Sequence, residues 1–130
     1  VYAQDKNITT GFLSLMADAR LGPSVNAVIS TPGHPWTIAE LGGIAGMSRA
    51  TYARHFQIKA GIGVGAFLTR VRMMHACALL EQGSRSIADI AEAVGYGSEA
   101  AFGVAFRDAV GETPARWRRS RRDRSRDHAR

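Results

Sequence analysis

Residues 37–61 read TIAELGGIAGMSRATYARHFQIKAG, and residues 86–111 read SIADIAEAVGYGSEAAFGVAFRDAVG. They are one pattern written twice. Thr37 and Ser86 each have an acidic residue three places on, Glu40 and Asp89, which is the spacing of a helix-capping pair. Apolar residues then recur at helical intervals: Ile38, Leu41 and Ala45 in the first copy, Ile87, Ile90, Ala91 and Val94 in the second. Gly46 and Gly95 end these helices. Ser48 and Ser98 cap a second helix, on which Tyr52 and Phe56, or Phe102 and Phe106, lie four apart on one face. Gly61 and Gly111 close it. An offset of 49 overlays Ile38 on Ile87, Ala39 on Ala88 and Gly46 on Gly95. After one residue inserted at the turn, an offset of 50 overlays Tyr52 on Phe102, Phe56 on Phe106, Gly61 on Gly111 and Phe67 on Trp117. Two short helices joined by a tight glycine turn make a helix-turn-helix. The expected fold is all-α, with two helix-turn-helix subdomains joined by a linker helix.

The rest of the chain is arranged around these copies. Gly61-Ile62-Gly63 breaks the first copy from a longer helix over about 64–82, with an apolar stripe of Phe67, Val71, Met74 and Ala78 and a stop at Gly83. Thr113-Pro114 opens a last helix, since proline suits the first helical position. Residues 11–31 read as two short helices broken at Leu21-Gly22-Pro23, and Thr31–Pro35 as a turn. The expected organisation is a lead-in (1–10), an N-terminal helical extension (11–35), the first helix-turn-helix (36–63) and the linker helix (64–83). The second helix-turn-helix with the final helix (84–119) and a basic disordered tail (120–130) follow.

Composition narrows the function classes. With 45% hydrophobic residues in 130, the chain can build a core. Its one cysteine, Cys77, excludes an internal disulfide framework and a multi-cysteine zinc site. No run reaches the ~20 apolar residues of a membrane span, so no membrane partner and a cytoplasmic location are expected. The chain begins with Val1 and reads as a piece of a longer protein. The net charge of +6 is uneven: residues 1–115 carry nine basic and nine acidic side chains, while 116–130 carry eight Arg and two Asp. Such an end is either a solvated tail or a source of nucleic-acid affinity through counterion release. His34, His55, His75 and His128 lack metal-ligand spacing, so no metal and no cofactor are expected. Cys77 reads as a structural thiol, Met73 and Met74 as core filler, and Trp36 and Trp117 as packing anchors. Gly61–Gly65 is glycine-rich but lacks the spacing of a phosphate cradle.

Residues 36–119 resemble the AraC/XylS family of bacterial transcription regulators. The resemblance rests on Ile38-Ala39-Glu40-Leu41 with Gly46-Met47-Ser48, and on Tyr52 with Phe56. In the second copy it rests on Ser86–Ala91, Val94-Gly95-Tyr96, Ser98–Phe102, Phe106-Arg107, and Gly111 with Pro114, Trp117 and Arg118. Residues 18–37 are further similar to the subgroup with an N-terminal cupin domain, which would precede Val1. The resemblance implies sequence-specific binding of double-stranded DNA, with two recognition helices in successive major-groove segments and regulation of transcription, including activation. It implies RNA polymerase as a further partner, and any dimerisation through a missing N-terminal domain.

The residues then take candidate roles. The recognition helices would be Ser48–Lys59 and Ser98–Asp108. Base-contacting candidates are Arg49, Ala50, Ala53 and Arg54 in the first and Glu99, Ala100, Gly103 and Val104 in the second. Arg54 is the best reader, since arginine bonds guanine O6 and N7 together; Arg49 better suits phosphate. Gly103 and Val104 stand where the family usually has Ser/Thr then Arg, so the second helix is expected to add shape or backbone contacts rather than strong direct readout. Phosphate-contacting candidates are Ser48, Arg70, Arg72, Ser98, Arg107, Thr113, Arg116 and Arg118; the three hydroxyls better suit plain helix capping, and the arginines equally suit a solvated or locally paired role. Two other classes stand beside this one. A helical protein-interaction module would make DNA contact incidental, and an enzyme fragment would need a nucleophile–base or paired-carboxylate arrangement, which the sequence lacks, so no enzyme is expected.

Overall fold

The computed structural model describes residues 11–129, and among them every regular element is helical. The helices are α1 (11–17), α2 (Leu21–Ser30), α3 (Ile38–Ala45), α4 (Arg49–Ala60), α5 (Val64–Gln82), α6 (Ile87–Ala93), α7 (Glu99–Val110) and α8 (Pro114–Ala129). The chain divides into two compact units, Val1–Thr69 and Arg70–Arg130, with the division inside α5. The lead-in expected over 1–10 lies outside the described residues.

The turn of the first unit follows from its capping residues. The Thr37 hydroxyl accepts from the Glu40 N–H at 3.1 Å, and the Glu40 carboxylate accepts from the Thr37 N–H at 3.3 Å. Gly46 ends α3 at φ +69°, a left-handed conformation that a side chain disfavours, and the Met47 N–H reaches the Gly42 carbonyl at 2.8 Å. Ser48 then caps α4 by accepting from the Thr51 N–H at 3.2 Å. The second unit repeats this. Ser86 accepts from the Asp89 N–H at 3.1 Å, Gly95 lies at φ +92°, the Tyr96 N–H reaches the Ala91 carbonyl at 2.9 Å, and Ser98 accepts from the Ala101 N–H at 3.0 Å.

The two cores repeat as well. In the first unit Tyr52 packs on Phe56 and Phe56 on Phe67, with ring centroids 5.9 and 5.3 Å apart. In the second, Phe102 packs on Phe106 and Phe106 on Trp117, at 5.7 and 6.1 Å. All six rings are buried. Leu41 and Ala45 of α3 are buried in the first unit; Ile90, Ala91, Val94, Ala76 and Leu80 share the core of the second row.

The N-terminal extension is part of the first core. Ser24 and Tyr52 are both 0% exposed. The Ser24 hydroxyl donates to the Leu21 carbonyl at 2.6 Å and receives the Tyr52 hydroxyl at 2.8 Å, tying α2 to α4. Burial pushes the Tyr52 phenol above its ordinary pKa, so it stays a donor. Asp18 faces Lys59 across 3.7 Å. A Cβ on Gly11 would collide with the Ala60 backbone, so this approach requires glycine.

Three expectations are corrected. The break between the first two helices falls at Asp18–Arg20, not at Leu21-Gly22-Pro23. The Asp18 carboxylate accepts from the Arg20 and Leu21 N–H groups at 2.9 and 2.8 Å and starts α2, while Pro23 sits in the first turn, where its missing N–H costs nothing. On α5, Phe67 and Val71 are buried as expected, but Met74 is 72% exposed and Ala78 is exposed; Met73, Ala76, Leu79 and Leu80 are buried instead. The neighbours of α5 change along its length, so its buried face turns. Finally, residues 120–129 continue α8 rather than forming a disordered tail. Arginine favours helix, the stretch after Pro114 has no further helix breaker, and Arg121 lies 4.8 Å over the Trp117 ring.

Ser24→Ala would leave the Tyr52 hydroxyl buried without its partner, at a cost of about 1–3 kcal/mol in urea unfolding, whereas Tyr52→Phe leaves Ser24 bonded to Leu21 and would cost about 0.5–1.5 kcal/mol. Losses in the double variant equal to the sum of the two would show that the hydroxyls are not coupled.

Candidate nucleic-acid interface

The aromatic rows decide which side chains of α4 and α7 face outward. A helix turns about 100° per residue, so with Tyr52 and Phe56 inward the opposite face carries 50, 54, 57 and 58. Ala50, Arg54, Gln57 and Ile58 are all exposed. On α7 the matching positions are Ala100, Val104, Arg107 and Asp108, also exposed. Arg49 and Glu99 are exposed at the first position of their helices. Ala53 and Gly103 lie at the sides of these faces and are half-buried. Gln57 is absent from the sequence-based candidates. Its signal is present as the i, i+4, i+7 spacing from Ala50 through Arg54, but it becomes legible only once the inward face is fixed.

The faces differ in chemistry. The α4 row presents a guanidinium and a carboxamide, and among the described residues Arg54 makes no ion pair. The α7 row begins with a methyl and an isopropyl group and reaches a charge only at Arg107. A Cβ on Gly103 would meet no atom within 4 Å, so nothing crowds that side of α7.

The candidate phosphate ligands sort by what already holds them. Ser48, Ser98 and Thr113 cap α4, α7 and α8, the last by accepting from the Arg116 N–H at 3.3 Å. Arg118 is half-buried, and its guanidinium donates to the Leu80 carbonyl at 3.1 Å and the Arg85 carbonyl at 2.7 Å. It thereby closes the C-terminal end of α5 and fixes the loop to α6; burial holds its pKa below the ordinary arginine value. Arg122 reaches the Gly83 carbonyl at 3.5 Å, and Arg121 lies 4.0 Å from Glu81. Arg72 is half-buried, close to Gly95. Arg70, Arg107, Arg116, Arg119 and Arg124 are exposed.

The described residues contain no group of three or more His, Cys, Asp or Glu able to hold a metal. Cys77 is half-buried, and burial raises its thiol pKa, which keeps the nucleophilic thiolate scarce. No described helix is long and apolar enough to cross a membrane. Trp117 is a core anchor, while Trp36 pins the turn before α3 by donating to the Thr31 carbonyl at 2.9 Å.

Two serine-capped helices, each behind a left-handed glycine turn and each lying on a buried aromatic row, define a tandem helix-turn-helix protein. Comparison with known proteins gives the family. A family described as a helix-turn-helix domain matches residues 41–120. The chain is 38% identical to an uncharacterized HTH-type transcriptional regulator of Haemophilus influenzae, over 90% of this chain and 39% of that protein. It is 38% identical to the RCS-specific HTH-type transcriptional activator RclR of Escherichia coli K12, over 86% of this chain and 39% of that one. A putative AraC-like transcription regulator of Streptomyces antibioticus is 38% identical over 85% of this chain and 36% of its own length. Among solved structures, the DNA-binding domain of the global transcriptional factor AdpA, in complex with a target DNA, superposes with a TM-score of 0.77 at 28% identity, covering 82% of this chain and 96% of that one. The chain belongs to the AraC family of helix-turn-helix proteins, and it spans about two-fifths of the length of these curated relatives.

The carbonyl ties of Arg118 predict that Arg118→Met lowers the stability of the second unit by about 1–2 kcal/mol in thermal or urea unfolding. Arg119→Met, on the exposed face of the same helix, leaves stability within about 0.5 kcal/mol. Equal effects of the two would refute the tie.

Proposed function

We propose that this chain is the DNA-binding half of a bacterial transcription regulator, with α4 and α7 each inserted into a major-groove segment of double-stranded DNA. The observation that carries this reading is the outward row of α4. Arg54 stands at its centre beside Gln57, with no partner among the described residues, on a helix whose opposite face is locked by Tyr52 and Phe56. An α-helix fits the major groove, and each base pair presents a distinct pattern there. Arg54 would bond guanine through O6 and N7, and Gln57 is suited to adenine through N6 and N7. Ala50 and Ala53 keep the approach close, and Arg49 at the helix start serves base or phosphate. On α7, Glu99 and Gly103 flank the approach of Ala100 and Val104. Phosphates are met by the free N–H groups where α4 and α7 begin, behind Ser48 and Ser98, and by Arg70, Arg107, Arg116, Arg119 and Arg124. Arg72, Thr113 and Arg118 act through the fold they hold.

The regulatory half we assign is an N-terminal cupin domain, supported by the character of residues 18–37 and by the greater length of the relatives. Ligand sensing and dimerisation belong to that half. The relative RclR is named an activator, which supports RNA polymerase as a partner.

Selection from a random duplex pool of about 25 bp, at about 150 mM salt where purely electrostatic affinity falls steeply, tests the reading. Enriched sites containing two conserved blocks support it; no enrichment with folded protein would sink it. With a selected site, Arg54→Ala should cost about 1–3 kcal/mol and relax preference at one base pair, and a loss uniform over all sequences would refute base contact. Replacing Arg119 and Arg124 by Gln should reduce the slope of log K against log salt by about 0.9 for each phosphate left without its arginine, and the preferred site should not change.

A further inference from the structure

The internal repeat sets Val104 at the position Arg54 holds in the first unit, and Ala100 at the position of Ala50. Val104 is 64% exposed, on a helix whose opposite face is filled by Phe102 and Phe106. Neither Ala100 nor Val104 has a hydrogen-bond donor or acceptor on its side chain. The centre of the α7 row therefore has no means of pairing with the polar atoms of a base edge. One apolar group projects from the base pairs into the major groove, the thymine 5-methyl; cytosine, guanine and adenine lack it. A branched hydrocarbon at the centre of a groove-facing helix is matched to that group. The flanking geometry agrees, since Ala100 is small and Gly103 leaves the side of the helix open to close approach.

We propose that α7 reads its DNA segment through a thymine 5-methyl group, with Val104 as the reading side chain and Ala100 seated beside it. The proposal rests on the DNA-binding reading above and names its specificity in the second unit. The two units then use different recognition chemistry: hydrogen bonds from Arg54 and Gln57 in the first, apolar contact from Val104 in the second. The second unit is thereby made sensitive to a single carbon atom that does not alter base pairing.

The test uses the duplex recovered by selection. Each thymine is replaced in turn by deoxyuridine, which removes the methyl group and keeps every hydrogen bond. One or two positions within one block should bind about three- to fivefold more weakly, the scale of one buried methyl group. Val104→Ala should abolish that sensitivity while leaving the guanine preference assigned to Arg54 intact. Alanine at an exposed helical site favours the helix, so loss of folding does not confound the result. Placing 5-methylcytosine at the sensitive position should recover part of the binding lost with cytosine. Val104→Arg should move the preferred base at that position from thymine to guanine. Uniform tolerance of deoxyuridine, or a sensitivity that persists in Val104→Ala, overturns the proposal while the DNA-binding reading stands. Failure of selection to enrich any site overturns both.

Discussion

Two buried rows of three aromatic rings hold this protein's architecture in place. In each unit a pair four residues apart on the second helix meets a third ring from the following helix: Tyr52, Phe56 and Phe67, then Phe102, Phe106 and Trp117. Aromatic side chains bury large areas and prefer tilted or edge contacts, so a row of them resists rotation of the helix that carries it. Fixing that rotation settles the opposite face. Once positions 52 and 56 point inward, 50, 54 and 57 must point outward. The surface that acts on a partner is in this sense a consequence of the core.

The two units seat the same row with different neighbours. The first uses the N-terminal extension: Ser24 of α2 receives the Tyr52 hydroxyl, Asp18 pairs with Lys59, and the Gly11 backbone lies against Ala60. The second has phenylalanine where the first has tyrosine, so its row needs no polar partner at that point. It is closed instead by α8, where Arg118 and Arg122 bond carbonyls at the end of α5 and beyond it, and Arg121 covers Trp117. Part of the arginine-rich end is consequently structural. Net charge treats its arginines as equivalent; in the helix Arg118 and Arg122 bond the protein's own backbone, whereas Arg116, Arg119 and Arg124 face water.

Local signals are legible because they act over a few residues. The capping residues Thr37, Ser48, Ser86 and Ser98, the glycine stops at Gly46 and Gly95, and the 64–82 span of α5 depend on backbone hydrogen bonds within one turn of helix. The departures from expectation share a cause, which is packing beyond that range. A single apolar stripe from Phe67 to Ala78 assumes one partner for the whole of α5, yet the neighbours packed on that helix change, and Met74 is left in water. Pro23 carries the strongest local signal for a break before α2, yet Asp18 supplies the acceptor for two N–H groups and starts the helix earlier, and proline is harmless in a first turn.

The sequence by itself determined the repeat, the turns within its two copies and the order of the helices, because caps, glycine stops and four-residue aromatic spacing are short-range physics that any fold containing them must obey. Only the tertiary structure decided which of the remaining side chains are free. Gln57 joins Arg54 on the outward row of α4, Arg118 is held by Leu80 and Arg85, and Ser24 is committed to Tyr52. Each of these outcomes depends on a partner at least 28 residues away in the chain, or on a core that fixes how a helix is turned, and no local pattern encodes that distance.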